Sequence, residues 1–426
     1  MFDARWESSM SQSVVEEITP PSNPVADRAA PAPAALTPRR VAFFALVVAV
    51  VIFNIFACQV VLGNIAKDLG LAWSHASLVS TATMLGYALG LLLIVPLADV
   101  IENRRLVITM ALTCVGALFA AAVVETALPF LILCFVIGAA ASLIQVLVPL
   151  VGVLTPAVHR GRVLGNVMSG LMLGIMISRP TASLVNEYFG WRALYASSAL
   201  VLGLLVIPLR LLLPSRQPQS PIAYKKAVSS LLTLLRDEPT LRSRALTAAL
   251  VMGAFNAFWS AVAPRLAESP FHLSATGIAL FALAGTAGAI AAPITGRLGD
   301  RGLTRVATLA SDAIIVVALF VALLAGSGTF GSSTLALVML VASAVLLDSG
   351  TVGDQTLGRR AINLLDPSAI GRRNGLFVGI FFLGGAAGSA LVGPVSAFAG
   401  WAGVCLTAAA FGVAALVVSA CTAKNA

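Results

Sequence analysis

Asp348, Asp312 and Arg179 each stand inside a long run of apolar residues. Charge is expensive to hold in such surroundings, so these three are the first places to look for chemistry. A carboxyl group there can carry a proton or tie one helix to another, and a guanidinium can meet an anion. Asp348 lies seven residues before Gln355, on the same face of a helix. It is the proton-carrier candidate, with a structural aspartate bonded to a neighbouring helix as the open alternative. Asp312 reads as structural. Arg179 either meets an anionic ligand near the outer gate or extends its head group to the membrane interface, the second being favoured. At 1.5 Å per residue Arg179 and Asp348 lie about 24 Å and about 14 Å from the same side, so they are expected not to pair directly. Uncharged polar groups in the same kind of run are Asn54, Gln59, Gln145, Asn256, Trp259 and Gln355.

The elements that must position these groups follow from composition. Of 426 residues 59% are hydrophobic and only 11% are charged, and the mean hydropathy is +0.96. A soluble chain would carry roughly a quarter charged residues. The apolar residues come in blocks of about 20, the length of helix that crosses a bilayer core. Uninterrupted apolar runs point to helices rather than a barrel, because a helix satisfies its own backbone. The expectation is an all-α membrane protein with twelve transmembrane helices in two pseudo-symmetric six-helix bundles, residues 39–213 and 245–421. Residues 1–38 read as a disordered cytoplasmic tail, and 422–426 as a cytoplasmic C-terminus. Residues 214–244 form a central cytoplasmic loop. Within it Val228, Leu231, Leu232 and Leu235 fall at helical spacing, which suits either an amphipathic helix on the inner leaflet or a flexible linker.

The net charge of +9 is a topology signal rather than a nucleic-acid one. On a twelve-span count nearly all of the 27 basic residues fall in the tail and in alternate loops, leaving Lys67, Arg192 and Arg265 on the other side. That bias places both termini in the cytoplasm of a multi-pass inner (plasma) membrane protein. The five cysteines lie in apolar spans without ligand spacing, so neither disulfides nor a metal site is expected. No phosphate-binding glycine loop and no nucleophile–histidine pair in the spans is present, so an enzyme is not expected, and no cofactor is.

The two bundles repeat each other. Gly161-Arg162, Gly165, Leu173-Gly174 and Gly190-Trp191 recur 210 residues later as Gly371-Arg372, Gly375, Leu383-Gly384 and Gly400-Trp401, and Gln145 answers to Gln355. Phe53-Asn54-Ile55-Phe56 recurs as Phe255-Asn256-Ala257-Phe258 at an offset of 202, and Asp99 answers to Asp300 at 201. The change of offset is expected to fall in the loop Gly326–Ser333. A membrane chain built from two copies of one bundle implies a substrate path between the halves and a secondary transporter that rocks one half against the other.

Two turns carry a resemblance to a known family. Val95-Pro96-Leu97-Ala98-Asp99-Val100-Ile101-Glu102-Asn103-Arg104-Arg105 follows span 2, and Gly296-Arg297-Leu298-Gly299-Asp300-Arg301-Gly302 follows span 8. Both resemble the loop signature of the major facilitator superfamily, Gly-x-Leu-Ala-Asp-Arg-x-Gly-Arg-Arg, and the first departs from it at Val95, Val100 and Glu102. The resemblance implies a cytoplasmic gate at Asp99, Arg104, Arg105, Asp300 and Arg301, with Asp99 leaning on Arg104 or Arg105. It also implies a central cavity lined by spans 1, 4, 7 and 10, hence by Asn54, Gln59, Gln145, Asn256, Trp259, Asp348 and Gln355. Asn54 and Gln59, with Phe255, Asn256, Phe258 and Trp259, make the chain similar to the proton-driven drug and sugar (arabinose-type) efflux permeases. The function implied is proton-coupled efflux of a small organic molecule by a monomer in a lipid bilayer, with no nucleic-acid partner. An uptake permease of the same fold and a transport-inactive membrane sensor are the alternatives.

Overall fold

The computed structural model describes residues 36–217, 223–365 and 370–422. Most of the expected N-terminal tail, part of the central loop and nearly all of the C-terminal segment lie outside them. Among the described residues ten helices are long and apolar enough to cross a membrane. They are α1 (Pro38–Val60), α2 (Trp73–Asp99), α3 (Asn103–Val123), α4 (Ala127–Val153), a 55-residue helix Val158–Leu212, α7 (Pro239–Ala267), α8 (Ala275–Asp300), α9 (Thr304–Gly326), α10 (Ser333–Asn363) and a 53-residue helix Ile370–Thr422. Each double-length helix is two crossings joined without a loop. Gly190 and Gly400 take φ of 79° and 58° and break the helical path, a left-handed backbone that only glycine adopts readily. The crossings on either side are α5 (158–189) and α6 (191–212), and α11 (370–399) and α12 (401–422), so the described residues make twelve crossings.

The tryptophan after each break has a matching job. The Trp191 indole N–H donates to Asp68 Oδ2 at 2.8 Å, and that of Trp401 donates to the Ala322 carbonyl at 2.9 Å. The repeat Gly-Trp is thus a reverse turn followed by an anchor that holds the returning helix.

The glycines spaced four apart explain how each half packs. A Cβ on Gly170 or Gly174 of α5 would run into the carbonyl oxygens of Ala45 and Ala49 on α1, and one on Gly384 or Gly388 of α11 would meet those of Ala249 and Gly253 on α7. Backbone-to-backbone contact of this kind is how membrane helices associate without a hydrophobic driving force between them.

The halves are not equal in length where the repeat changes offset. Asn103 answers to Thr304 at 201, Val123 to Gly326 at 203, Ala127 to Ser333 at 206 and Val153 to Asn363 at 210. The loop before α10 therefore takes only part of the difference, and the rest lengthens α9 and α10. The two helices also differ in form: α4 is broken by a turn at Ser142–Leu143 and carries Pro149, whereas α10 runs unbroken.

A surface helix, Tyr224–Asp237, fills part of the central connection. It buries Ala227 and Leu231, donates the Tyr224 hydroxyl to the Leu93 carbonyl of α2 at 2.8 Å, and accepts from Arg372 Nη1 at Ser230 Oγ at 3.0 Å. It touches both halves, and the side of the molecule that carries it is called here the near end. At the far end the halves meet directly. Ser183 Oγ donates to the Ala275 carbonyl at 2.9 Å, and Gly393 N donates to Ser77 Oγ at 3.2 Å.

Candidate functional site

Five polar and aromatic side chains on α1, α5, α7 and α10 form one connected chain through the middle of the molecule. Asn256 of α7 is fully buried and holds its amide by donating from Nδ2 to the Met252 carbonyl at 3.2 Å. Its Oδ1 accepts from Gln59 Nε2 of α1 at 2.6 Å, a bond between the two halves. Gln59 Oε1 in turn accepts from Arg179 Nε of α5 at 2.9 Å. Arginine has donors and no acceptor, so this contact sets which way the Gln59 amide points.

Arg179 is 3% exposed. Its Cζ lies 4.2 Å from the Trp259 ring centroid, 5.3 Å from that of Phe255 and 5.4 Å from that of Phe56. A desolvated guanidinium against an aromatic face gains about 2 kcal/mol per good contact, which offsets part of the cost of removing the charge from water. Arg179 Nη2 is buried and has no hydrogen-bond partner. The side chain therefore stays in the interior, contrary to the favoured expectation that it extends to the membrane interface. Three aromatic rings and an amide make the interior a better place for it.

The Trp259 indole N–H donates to Asp348 Oδ1 at 2.9 Å. One indole thus carries a cation on its face and a carboxylate at its edge. No ion pair joins Arg179 to Asp348 directly among the described residues, yet the rise along each helix is a poor guide to their separation. A large side chain on a third helix spans the gap.

The other cavity candidates stand apart from this chain. Asn54 is buried but spends its amide on the Val50 carbonyl of its own helix, at 2.8 Å. Gln145 is half-buried just after the α4 turn, beside Tyr87. Gln355 is half-buried near the other end of α10 from the loop before it. Beyond the Gln59–Asn256 bond, towards the far end, a cavity of about 540 Å³ lies among Trp73, Ser77, Ser260, Arg265 and Trp401.

The near-end charges are arranged differently in the two halves. Asp300 accepts from Arg360 Nη1 of α10 at 2.7 Å, while Arg301 is exposed. Asp99 is exposed, and among the described residues it forms no ion pair with Arg104 or Arg105. The expected partner of Asp99 is therefore not taken up here. Nor can Asp99 pair as Asp300 does: at the offset of 210 the residue answering to Arg360 is Leu150, so the first copy lacks the guanidinium that the second uses. A further pair that the sequence reading passed over joins the starts of α11 and α7. Arg373 Nε donates to Glu238 Oε2 at 2.7 Å and its Nη2 donates to Oε1 at 2.6 Å. The first pair lies within the C-terminal half, and the second ties that half to the end of the central connection. Asp354 of α10, 1% exposed, also escaped that reading, although an acid inside a span is the very signal that singled out Asp348.

The profile of the Major Facilitator Superfamily matches residues 42–356. The chain is 31% identical over 383 residues to the transporter YgaY of Escherichia coli O157:H7, covering 90% of this chain and 95% of that protein. It is 32% identical over 368 residues to a transporter of Streptomyces coelicolor A3(2), covering 86% and 84%. Among solved structures, it is similar to a bacterial homolog of the human lysosomal transporter Spinster in an inward-facing and occupied conformation, with a TM-score of 0.71 at 15% identity over 91% of this chain and 96% of that one. It is also similar to a D-xylose–proton symporter, with a TM-score of 0.71 at 12% identity over 89% and 96%. A twelve-crossing duplicated bundle with a buried polar chain between its halves, matched along most of its length by transporters, belongs to the major facilitator superfamily and is a secondary transporter of small molecules.

Proposed function

We propose that the protein exports a small organic molecule against the entry of protons, as a monomer in the inner (plasma) membrane with both termini cytoplasmic. The observation that carries this reading is the Trp259 indole, which bonds Asp348 at 2.9 Å and lies under Arg179 at 4.2 Å. Protonating Asp348 removes the negative charge nearest to a buried guanidinium whose Nη2 is unpartnered. Arg179 then gains most from an acceptor or an anionic group on the cargo. With Asp348 ionised, the indole holds the carboxylate and the charge of Arg179 is balanced from within. Proton and cargo so compete for one electrostatic arrangement, which is what coupling requires. The Gln59–Asn256 bond and the far-end contacts belong to the state closed at that end, and the gate charges at the near end belong to the opening that alternates with it.

The test is flux in proteoliposomes under an imposed pH gradient. Outward movement of cargo accompanied by acidification of the compartment it leaves is the expected result, and flux indifferent to the gradient overturns the coupling. Asp348→Asn is expected to abolish uphill movement and keep exchange; undiminished uphill flux removes Asp348 as the carrier.

A further inference from the structure

A second pair of carboxyl groups lies inside the C-terminal half, away from the chain just described. Asp312 stands eight residues into α9 and Asp354 nine residues before the end of α10. At 1.5 Å per residue both are about 12 to 14 Å deep from the near end. The helices approach closely there, since a Cβ on Gly353 would stand 2.5 Å from Ser311 Oγ and one on Gly350 2.7 Å from the Ser311 carbonyl oxygen. Asp312 is 0% and Asp354 1% exposed, and none of their four carboxyl oxygens has a hydrogen-bond partner. The Ser419 hydroxyl of α12, 4% exposed and itself unpartnered, lies beside Asp312.

The charges facing this pair can be named from each helix around it. From α7 comes Arg244, which donates Nη1 to Thr308 Oγ1 at 3.2 Å, one turn before Asp312, and forms no ion pair with either acid. Facing the pair from α8 and α12 are the uncharged Thr295 and Ser419. Two carboxylates without hydrogen bonds, in an apolar bundle where among the described residues Arg244 is the cation acting on them, cannot both stay ionised. A carboxyl pair in this situation keeps one proton between its members. Asp354 is six residues from Asp348 on α10, a turn of about 240° around the helix, so the pair is separated from the Trp259 chain by the helix itself.

We propose that Asp312 and Asp354 form a proton-binding site of their own, holding one proton between two carboxyls at the α9–α10 contact, apart from Asp348. It ties the protonation of the C-terminal half to the packing of α10, the helix that also presents Asp348 to Trp259. This inference does not depend on the direction of transport or on the role assigned to Asp348.

Infrared difference spectra of the purified protein between acid and alkaline pH test it. The expected result is a protonated-carboxyl band that persists in Asp348→Asn and is lost in both Asp312→Asn and Asp354→Asn, because one remaining carboxylate is matched by Arg244. A band left intact by either of the last two overturns the shared proton. Should those variants fail to fold, Asp348→Asn alone decides: a titrating carboxyl band must remain in it, and none remaining overturns the site. Loss of the band on adding sodium chloride at fixed pH would make this a sodium site and overturn the proposal as well.

Discussion

Gln59 and Asn256, 197 residues apart in sequence, bond across the two halves at 2.6 Å with both side chains fully buried. Asn256→Ala removes the acceptor and leaves a buried amide N–H without a partner, a cost of about 1 to 3 kcal/mol. The cost falls on the arrangement described above, in which Gln59 meets Asn256 and the halves touch at the far end. Spin labels placed at Glu187 and Thr276, whose side chains approach at 3.5 Å, are expected to show a larger share of long distances in the variant. An unchanged distance distribution would mean the bond does not help to hold that end shut.

Trp259→Phe separates the two duties of the indole. Phenylalanine keeps an aromatic face for Arg179 and lacks the N–H that bonds Asp348. Losing one hydrogen bond to a charged group costs about 1.5 to 3 kcal/mol, so uphill flux is expected to fall by about tenfold or more while the protein stays folded. Measured flux equal to the parent, with Asp348 still required, would place the role of Trp259 in packing alone.

Arg179 and Asp348 were legible in the sequence because a charge in an apolar run is conspicuous whatever surrounds it. Their relation was not, since depth along a helix says nothing about a tryptophan from a third helix lying between them. Asn54 illustrates the converse. It is a polar residue on a span expected from the resemblance to line the cavity, yet it satisfies itself on the Val50 carbonyl. The partner of Asp300 was hidden for another reason. Matching one half to the other draws attention to residues present in both, and Arg360 answers to Leu150. Asp354 is as conspicuous in the sequence as Asp348, but that it faces α9 is visible only in the packing of Gly353 against Ser311. The twelve crossings, by contrast, follow from hydropathy and from the doubled Gly-Trp turns, which are local features.

Arg179→Lys keeps the charge and loses the planar group that lies against Phe56, Phe255 and Trp259 and the Nε–H that holds Gln59. Lysine is a compact, strongly hydrated cation and a poor substitute at a stacked site. The variant is expected to melt at a lower temperature and to lose protection by cargo in thermal-shift measurements. Protection of the same size as in the parent would show that Arg179 serves the fold and not the ligand.

The repeated glycines look alike in sequence and are expected to behave differently. Gly165 and Gly375 have nothing within 4 Å of where a Cβ would stand, whereas Gly174 and Gly384 face carbonyl oxygens of the neighbouring helix at distances no real Cβ tolerates. In a helix interior, alanine is favoured over glycine by about 1 kcal/mol, so Gly165→Ala and Gly375→Ala are expected to be neutral or slightly stabilising. Gly174→Ala and Gly384→Ala force α5 from α1 and α11 from α7, and the yield of monodisperse protein and the melting temperature are expected to drop. Because α1 and α7 carry Gln59, Asn256 and Trp259, the same displacement moves the polar chain. Loss of cargo binding should therefore accompany loss of stability in these two variants and in neither of the first two. Equal effects in all four would mean that the shared glycines act through helix propensity and not through contact.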